Sequence, residues 1–319
     1  MGQRPWAKNT NNLNTNEGQA PFKFIRRYMK YVKRKAMTIR ESGRSSDYIS
    51  PSFGFGCMYK CNYCYMRRHV PNGLTVANNP GNILDAIYDH AFMLGPKEPN
   101  QTHNKFWTYD ISCNEDFVLH AKYHNWKLIF DFFKMCGLPV FATMATKYVN
   151  ASLLDYNPID DEGNKRIRIR FSIMPQHLSD QLEPNTSLIE DRINAVNAFY
   201  EAGYDVHINY SPIIHYEGWL DDYKDLFNMV NDTIDDNIKH TVLAECIFLT
   251  HNHKMHRYNV ENNTKGEEYL WQPGKQETKM SQYGNENIRY NRFYKNKYIN
   301  QFKELHNSVI PWNKIRYIF

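Results

Sequence analysis

Three cysteines, Cys57, Cys61 and Cys64, fall within eight residues at the spacing C-x3-C-x2-C. No other stretch restricts the fold as tightly, because the backbone here has to present three sulfurs to one centre. A structural zinc site takes four ligands, usually as two pairs separated by a loop or helix, and no matching pair follows. Three close thiolates can instead hold three irons of a [4Fe–4S] cluster. The fourth iron is then open to a small molecule. Reduced or zinc-bound thiols in a loop are the alternative reading.

The 319 residues suffice for one large domain or two small ones. An apolar content of 42%, with 15% aromatic residues, supports a packed core. There is no run of about eighteen apolar residues, so no membrane span is expected. The N-terminus has no apolar signal core, which leads to the expectation of a cytoplasmic protein. Six cysteines in this length do not make a disulfide scaffold. The net charge of +5 permits nucleic-acid binding without demonstrating it.

Residues 1–20 are polar and read as a disordered tail. Residues 21–48 form a basic arm, in which Lys23, Arg26, Arg27, Lys30, Lys33, Arg34, Lys35, Arg40 and Arg44 alternate with Phe22, Phe24, Tyr28 and Tyr31. That mixture suits a phosphate backbone, or equally a solvated helix face. Ser52–Gly56 reads as a short strand entering the cysteine loop, and Asn79-Pro80 opens a helix. Arg166 to Ile173 alternates strictly, with Ile167, Ile169, Phe171 and Ile173 on one face and Arg166, Arg168, Arg170 and Ser172 on the other. Period two means a strand. Ser187-Leu188-Ile189-Glu190 spells a capping box, and Pro212 is expected to end the strand from Asp205.

Strand and helix therefore alternate five or six times through the middle of the chain. Such alternation implies a parallel sheet with crossover helices, and an open or full β/α barrel closes it. The expected division is a barrel over 49–250 and a C-terminal extension over 251–319. Sites in such barrels lie at the C-terminal ends of the strands. Cys57, Cys113, Lys147 and Ser172 all fall at or just past expected strand ends. His251, His253 and His256 either bind a metal or sit on the surface. From Arg289 to Lys303, basic residues alternate with Tyr290, Phe293, Tyr294, Tyr298 and Phe302. These can stack on bases and hold phosphates, or pack as an amphipathic helix.

Several blocks, in order, carry a resemblance. They are Cys57-x3-Cys61-x-Tyr63-Cys64-Tyr65, Cys113-x-x-Asp116, Thr146-Lys147-Tyr148, Arg168-x-Arg170-Phe171-Ser172-Ile173, Glu183-Pro184-x-Thr186-Ser187 and Pro212-Ile213-x-x-His215-x-Glu217-Gly218-Trp219. Over roughly residues 50–319 the chain resembles the spore photoproduct lyase family of radical S-adenosylmethionine (radical SAM) enzymes. The resemblance implies an α/β fold, a partial (β/α)6-type radical SAM barrel with a C-terminal β-hairpin and helix extension. It implies a [4Fe–4S] cluster on Cys57, Cys61 and Cys64, and S-adenosylmethionine as cofactor, contacted by Lys147, Ser172 and Tyr63. It implies Cys113 as hydrogen donor to a thymine radical, with Tyr63 and Tyr65 returning the hydrogen. The family hairpin that enters DNA beside the lesion matches Lys279–Tyr290 loosely, which marks Arg289 and Tyr290 as substrate contacts. The implied partners are DNA carrying a thymine-derived base and a reductant such as flavodoxin or ferredoxin, with the protein a monomer.

The chain also departs from the family. Asn114-Glu115 stands where the family usually has Thr-Ser, and Met174 stands for Asn. A carboxylate at Glu115, a candidate substrate contact, is expected to change the substrate pocket or the hydrogen bonding around the radical. Two alternatives to lesion cleavage therefore stay open. One is a radical SAM isomerase or modifying enzyme acting on hypermodified thymidine in DNA. The other is a nucleic-acid-binding protein with a structural metal loop and no turnover.

Overall fold

The computed structural model describes residues 37–69, 73–280 and 286–319. The expected tail at 1–20, the arm as far as residue 36 and the centre of the Lys279–Tyr290 hairpin lie outside the described residues. The described strands are β1 (Arg40–Glu41), β2 (Tyr48–Ile49), β3 (Gly54–Phe55), β4 (Thr75–Val76), β5 (Trp107–Asp110), β6 (Val140–Thr146), β7 (Ile167–Ile173), β8 (Asp205–Ile213), β9 (Ala244–Phe248), β10 (Thr250–His251), β11 (Gln276–Met280), β12 (Glu286–Tyr290) and β13 (Ile315–Ile318). Eight of them make one sheet in the order β1-β2-β5-β6-β7-β8-β9-β13. Its pairs are parallel from β2 to β13, and β1 alone runs antiparallel. The sheet curls into a half barrel, as expected of the partial β/α barrel. It draws one strand from the expected basic arm and one from the expected extension.

The alternation in β7 explains the curl. Ile167, Ile169, Phe171 and Ile173 join the apolar core under the crossover helices, where Phe171 meets Phe199 edge-on at 5.3 Å. The opposite face is buried too, inside the hollow of the curl. There Arg170 reaches Asp110 of β5 at 2.6 Å and Glu245 of β9 at 3.0 Å, two strands away on either side. Arg168 pairs with Asp205 at 2.7 Å and with the Thr102 carbonyl at 2.9 Å. Arg316 of β13 binds Glu245 and the carbonyls of Ser45 and Thr102, which ties the two ends of the sheet together. Buried charges persist only when paired in this way.

Two local expectations fail. The capping box does not form: Ser187 Oγ accepts from the Val149 N–H, and the Ile189 N–H goes to Gln176 at 2.7 Å. Helix Ile189–Glu201 starts without a side-chain cap. Nor does Pro212 stop β8. The strand passes through a cis Ser211–Pro212 bond, and its register with β9 shifts between Tyr210 and Ile213. Proline has no N–H to give the ladder, so pairing lapses there and resumes at Ile213 with Phe248.

β10, β12 and β11 form a separate antiparallel sheet, followed by helix Arg292–Val309. In this region Tyr290, Tyr298 and Phe302 are core residues, whereas Phe293 is 72% exposed. Among the described residues, no helix is long and apolar enough to cross a membrane.

Candidate active site

The cysteine loop lies between β3 and helix Tyr65–His69. Cys57, Cys61 and Cys64 share one shell with Tyr59, Tyr63, Leu119 and Tyr148. Backbone turns from Cys61 to Cys64 and from Cys64 to Arg67 fix their order. Burial pushes all three thiols up, and each is near enough to another for repulsion to add to that effect in Cys57 and Cys61. Lys147 opposes it at Cys61 and Cys64. Ionising all three would therefore need a strongly cationic group among them. A single zinc ion holds sulfurs at about 2.3 Å, so they would lie about 3.8 Å apart. Among the described residues, ligand atoms of one trio come within 4.8 Å of one another, and that trio is not the cysteines. Three thiolates gathered in one loop suit a multi-iron cluster.

Two buried braces hold the loop. Tyr63 donates its hydroxyl to Glu183, which also binds Arg192 at 2.9 Å and lies 3.7 Å from Lys147. Below the loop, the Met58 N–H donates to His120 Nε2 at 3.3 Å. With Nε2 accepting, His120 carries its ring proton on Nδ1 and donates it to Glu115 at 3.1 Å, and His124 meets the same carboxylate oxygen at 2.8 Å. Burial alone would raise the Glu115 carboxyl, but the histidines hold it at about 2. Gly54 leaves room for it: a Cβ there would lie 2.4 Å from a Glu115 oxygen.

Cys113 follows β5 on a turn in which Asn114 takes φ 74°. Asn114 ties this turn to the cysteine loop. Its carbonyl accepts from Gly56 at 3.0 Å, its amide donates to Ser52 at 2.8 Å, and its Oδ1 accepts from Tyr65 at 2.6 Å. Arg40 donates to Cys113 Sγ at 3.5 Å. Burial and the nearby Asp110 push the Cys113 thiol up to about 11, against the pull of Arg40.

Ser172 and Asn209 are register partners at the top of β7 and β8. Asn209 donates to Ser172 Oγ at 3.0 Å, which leaves the serine proton to donate elsewhere. Asn209 Oδ1 is buried without a hydrogen-bond partner. Buried polar atoms are rarely left so.

The structure thus brings Cys57, Cys61, Cys64, Tyr63, Tyr65, Lys147 and Cys113 to one end of the half barrel. Two residues expected at the substrate lie elsewhere. The Glu115 side chain is fully buried under the cysteine loop, because His120 and His124 claim it. Tyr290 is 2% exposed, with its hydroxyl accepting from the His215 N–H. Arg289 stays half-buried beside Arg44, Lys279 and Lys295. Sequence reasoning passed over His120, His124 and Asn209, counted Arg40 only with the basic arm, and named Glu183 only as part of a family block without a role. For the two histidines there was a signal, since they stand four residues apart just after Glu115.

The family model described as spore photoproduct lyase matches residues 7–319. The chain belongs to the spore photoproduct lyase family. It is 28% identical over 218 residues to the spore photoproduct lyase of Bacillus subtilis, covering 67% of this chain and 59% of that protein. It is 25% identical over 197 residues to the spore photoproduct lyase of Geobacillus sp., covering 61% and 54%. The matches thus span somewhat over half the length of these curated relatives. Among solved structures, a spore photoproduct lyase mutant with bound AdoMet and dinucleoside spore photoproduct superposes with a TM-score of 0.76 at 20% identity, over 90% of this chain and 81% of that one. A spore photoproduct lyase complexed with dinucleoside spore photoproduct gives 0.73 at 21%, with the same coverage. At this identity the likeness shows the fold.

Proposed function

We propose that this spore photoproduct lyase family member is a radical SAM enzyme that acts on a thymine-derived lesion in DNA, cleaving the methylene bridge of the spore photoproduct. The observation that carries this reading is the join between the Cys113 turn and the cysteine loop through Asn114. A thiol that keeps its hydrogen is thereby fastened to the expected cluster loop. The names of the curated relatives, and the AdoMet and dinucleoside spore photoproduct bound to a structural neighbour, support the same substrate and cofactor.

A [4Fe–4S] cluster on Cys57, Cys61 and Cys64 would supply the electron that cleaves S-adenosylmethionine. This chain's residues position and donate. Lys147, whose ammonium lies 5.8 Å from the Tyr63 ring centre, and Ser172, whose Oγ accepts from Asn209, would hold the cofactor. Cys113 holds its S–H at neutral pH because its thiol sits near 11. A thiolate has no hydrogen atom to give, so this shift suits a donor to a thymine methyl radical. Having donated, the Cys113 sulfur would regain a hydrogen from the Tyr65 hydroxyl, which would in turn be refilled from 5′-deoxyadenosine. Tyr63, bound to Glu183, helps pass the hydrogen and borders the expected cofactor position. The reductant is a small one-electron carrier such as flavodoxin or ferredoxin. The Glu115 side chain is buried against His120 and His124, so it gives no reason to move the substrate to hypermodified thymidine.

The test is mass spectrometry of nucleosides after anaerobic incubation of the reconstituted, reduced protein with DNA bearing spore photoproduct. Recovered thymidine with 5′-deoxyadenosine release is expected. Consumption of another thymine derivative while the photoproduct stays intact would reject lesion cleavage. Absence of both thymidine recovery and 5′-deoxyadenosine would leave a binding protein with a structural metal loop.

A further inference from the structure

On the far side of the cysteine loop, His251, His256 and Glu267 converge from three elements: β10, helix His253–Glu261 and helix Glu267–Leu270. Glu267 Oε1 lies 3.0 Å from His251 Nε2 and 2.6 Å from His256 Nδ1. One ligand-type atom from each residue falls within 4.8 Å of the other two. The surroundings hold these groups in place. Asn259 donates to the second oxygen of Glu267, and Trp271 stacks on His256 at 3.9 Å with the planes 9° apart. Outer contacts of this kind orient metal ligands.

We propose that His251, His256 and Glu267 bind a divalent transition-metal ion of the zinc type, at a site separate from the cysteines. Two imidazoles and a carboxylate are a frequent zinc donor set, with water as fourth ligand. His256 is 27% exposed, which leaves that water a way in. Tetrahedral bonds of about 2.0–2.1 Å put neighbouring ligands about 3.3 Å apart, so the trio opens slightly to admit the ion. Protons balance without loss. His251 moves its proton from Nε2 to Nδ1, which now has no partner, and His256 moves its own to Nε2. The site then passes from one negative charge to one positive charge. Asn259 also donates to the carbonyl of Asn62, between Cys61 and Tyr63, at 2.8 Å. Asn62 in turn donates to the carbonyls of Gln181 and Lys265 at 2.9 and 2.8 Å. The ion therefore stiffens the back of the cysteine loop without touching its sulfurs.

The test uses the full chain with Cys57, Cys61 and Cys64 all replaced by alanine, which removes the other metal-binding loop. After treatment with EDTA it is titrated with zinc(II) by calorimetry and with cobalt(II) by visible absorption. One ion per chain is expected, with tetrahedral cobalt bands and no sulfur charge transfer. Glu267→Gln and His256→Gln are expected to weaken zinc binding by roughly a hundredfold, and Asn259→Ala, which keeps every ligand, by about tenfold. Near-UV circular dichroism checks that each variant keeps its fold. Should the triple-alanine chain not fold, zinc per chain is counted in the native protein and in Glu267→Gln. No zinc uptake at about 100 µM, or uptake that ignores these substitutions, would mean a hydrogen-bonded cluster only and overturn the proposal. None of these readouts depends on turnover of DNA.

Discussion

Tyr65 donates its hydroxyl proton to Asn114 at 2.6 Å, so the residue after Cys113 anchors the tyrosine after Cys64. Two segments some fifty residues apart are thereby set against each other at one atom. Asn114 does this from φ 74°, a conformation that asparagine tolerates better than most residues. Asn114→Ala loses the bonds to Tyr65 and Ser52 and strains the backbone. The expected loss is about 2–3 kcal/mol of stability. Asn114→Gly keeps the backbone and isolates the contacts, with an expected loss of about 1–2 kcal/mol. Urea unfolding of the two variants checks the difference, and equal stability to the native chain would remove Asn114 as a join.

The raised Cys113 thiol makes a separate forecast. Alkylation by iodoacetamide at this residue, followed by peptide mass spectrometry, is expected to climb toward pH 11 rather than to level off near 9, the usual thiol value. Cys113→Ala is expected to keep S-adenosylmethionine cleavage while clean thymidine gives way to adducts. Clean product from that variant would take Cys113 out of the reaction.

Glu115 should make the protein acid-sensitive. Its carboxyl moves from an ordinary 4.5 to about 2 on folding, because His124 and His120 outweigh its burial. A lowered carboxyl stabilises the fold fully above the unfolded value, and the benefit drains as pH falls from about 4.5 to 2. The shift corresponds to about 3 kcal/mol. Glu115→Gln should flatten the stability profile in that window. A native-like acid limb in the variant would show that other carboxylates dominate.

Arg170 stands between Asp110 and Glu245 in the hollow of the sheet. Arg170→Met leaves the fully buried Glu245 carboxylate to Arg316 and Ser45 alone and takes the charged partner from Asp110, and a cost of about 3 kcal/mol is expected. Adding Asp110→Asn should recover part of it, as read by thermal melts. A double variant no better than the single one would mean that the guanidinium packs rather than pairs with Asp110.

Arg44, Lys295 and Arg289 gather over the ring of Phe319 at 3.8, 4.4 and 5.6 Å. If this group meets DNA, each phosphate it neutralises contributes about 0.9 to the slope of log affinity against log salt. Arg289→Ala with Lys295→Ala should lower that slope by about 1–2. An unaltered slope in fluorescence anisotropy titrations would place the DNA elsewhere.

What could be read in advance was local. Three cysteines within eight residues and a strict two-residue alternation in β7 each report on their own neighbourhood. The partners of Arg170 sit 60 and 75 residues away, and nothing near it in the chain announces them. Glu115 was misplaced for a similar reason: a lone carboxylate beside Cys113 reads as pocket-facing until His120 and His124 are seen to claim it. The aromatic and basic run after Arg289 split between two uses. Tyr298 and Phe302 went to the core and Phe293 to solvent, a division that helix phase alone hinted at. Pro212 misled because a strand can cross a proline wherever the ladder skips a rung.

The tight fit of Gly54 over the Glu115 carboxylate links two positions that are sixty-one residues apart. Neither can drift alone, since a methyl group at one place evicts the acid at the other. In kindred chains, any bulkier residue matching Gly54 should travel with a shorter one matching Glu115. Glycine matching position 54 together with glutamate matching position 115 would reveal the histidine-bound acid in a new member from its letters alone.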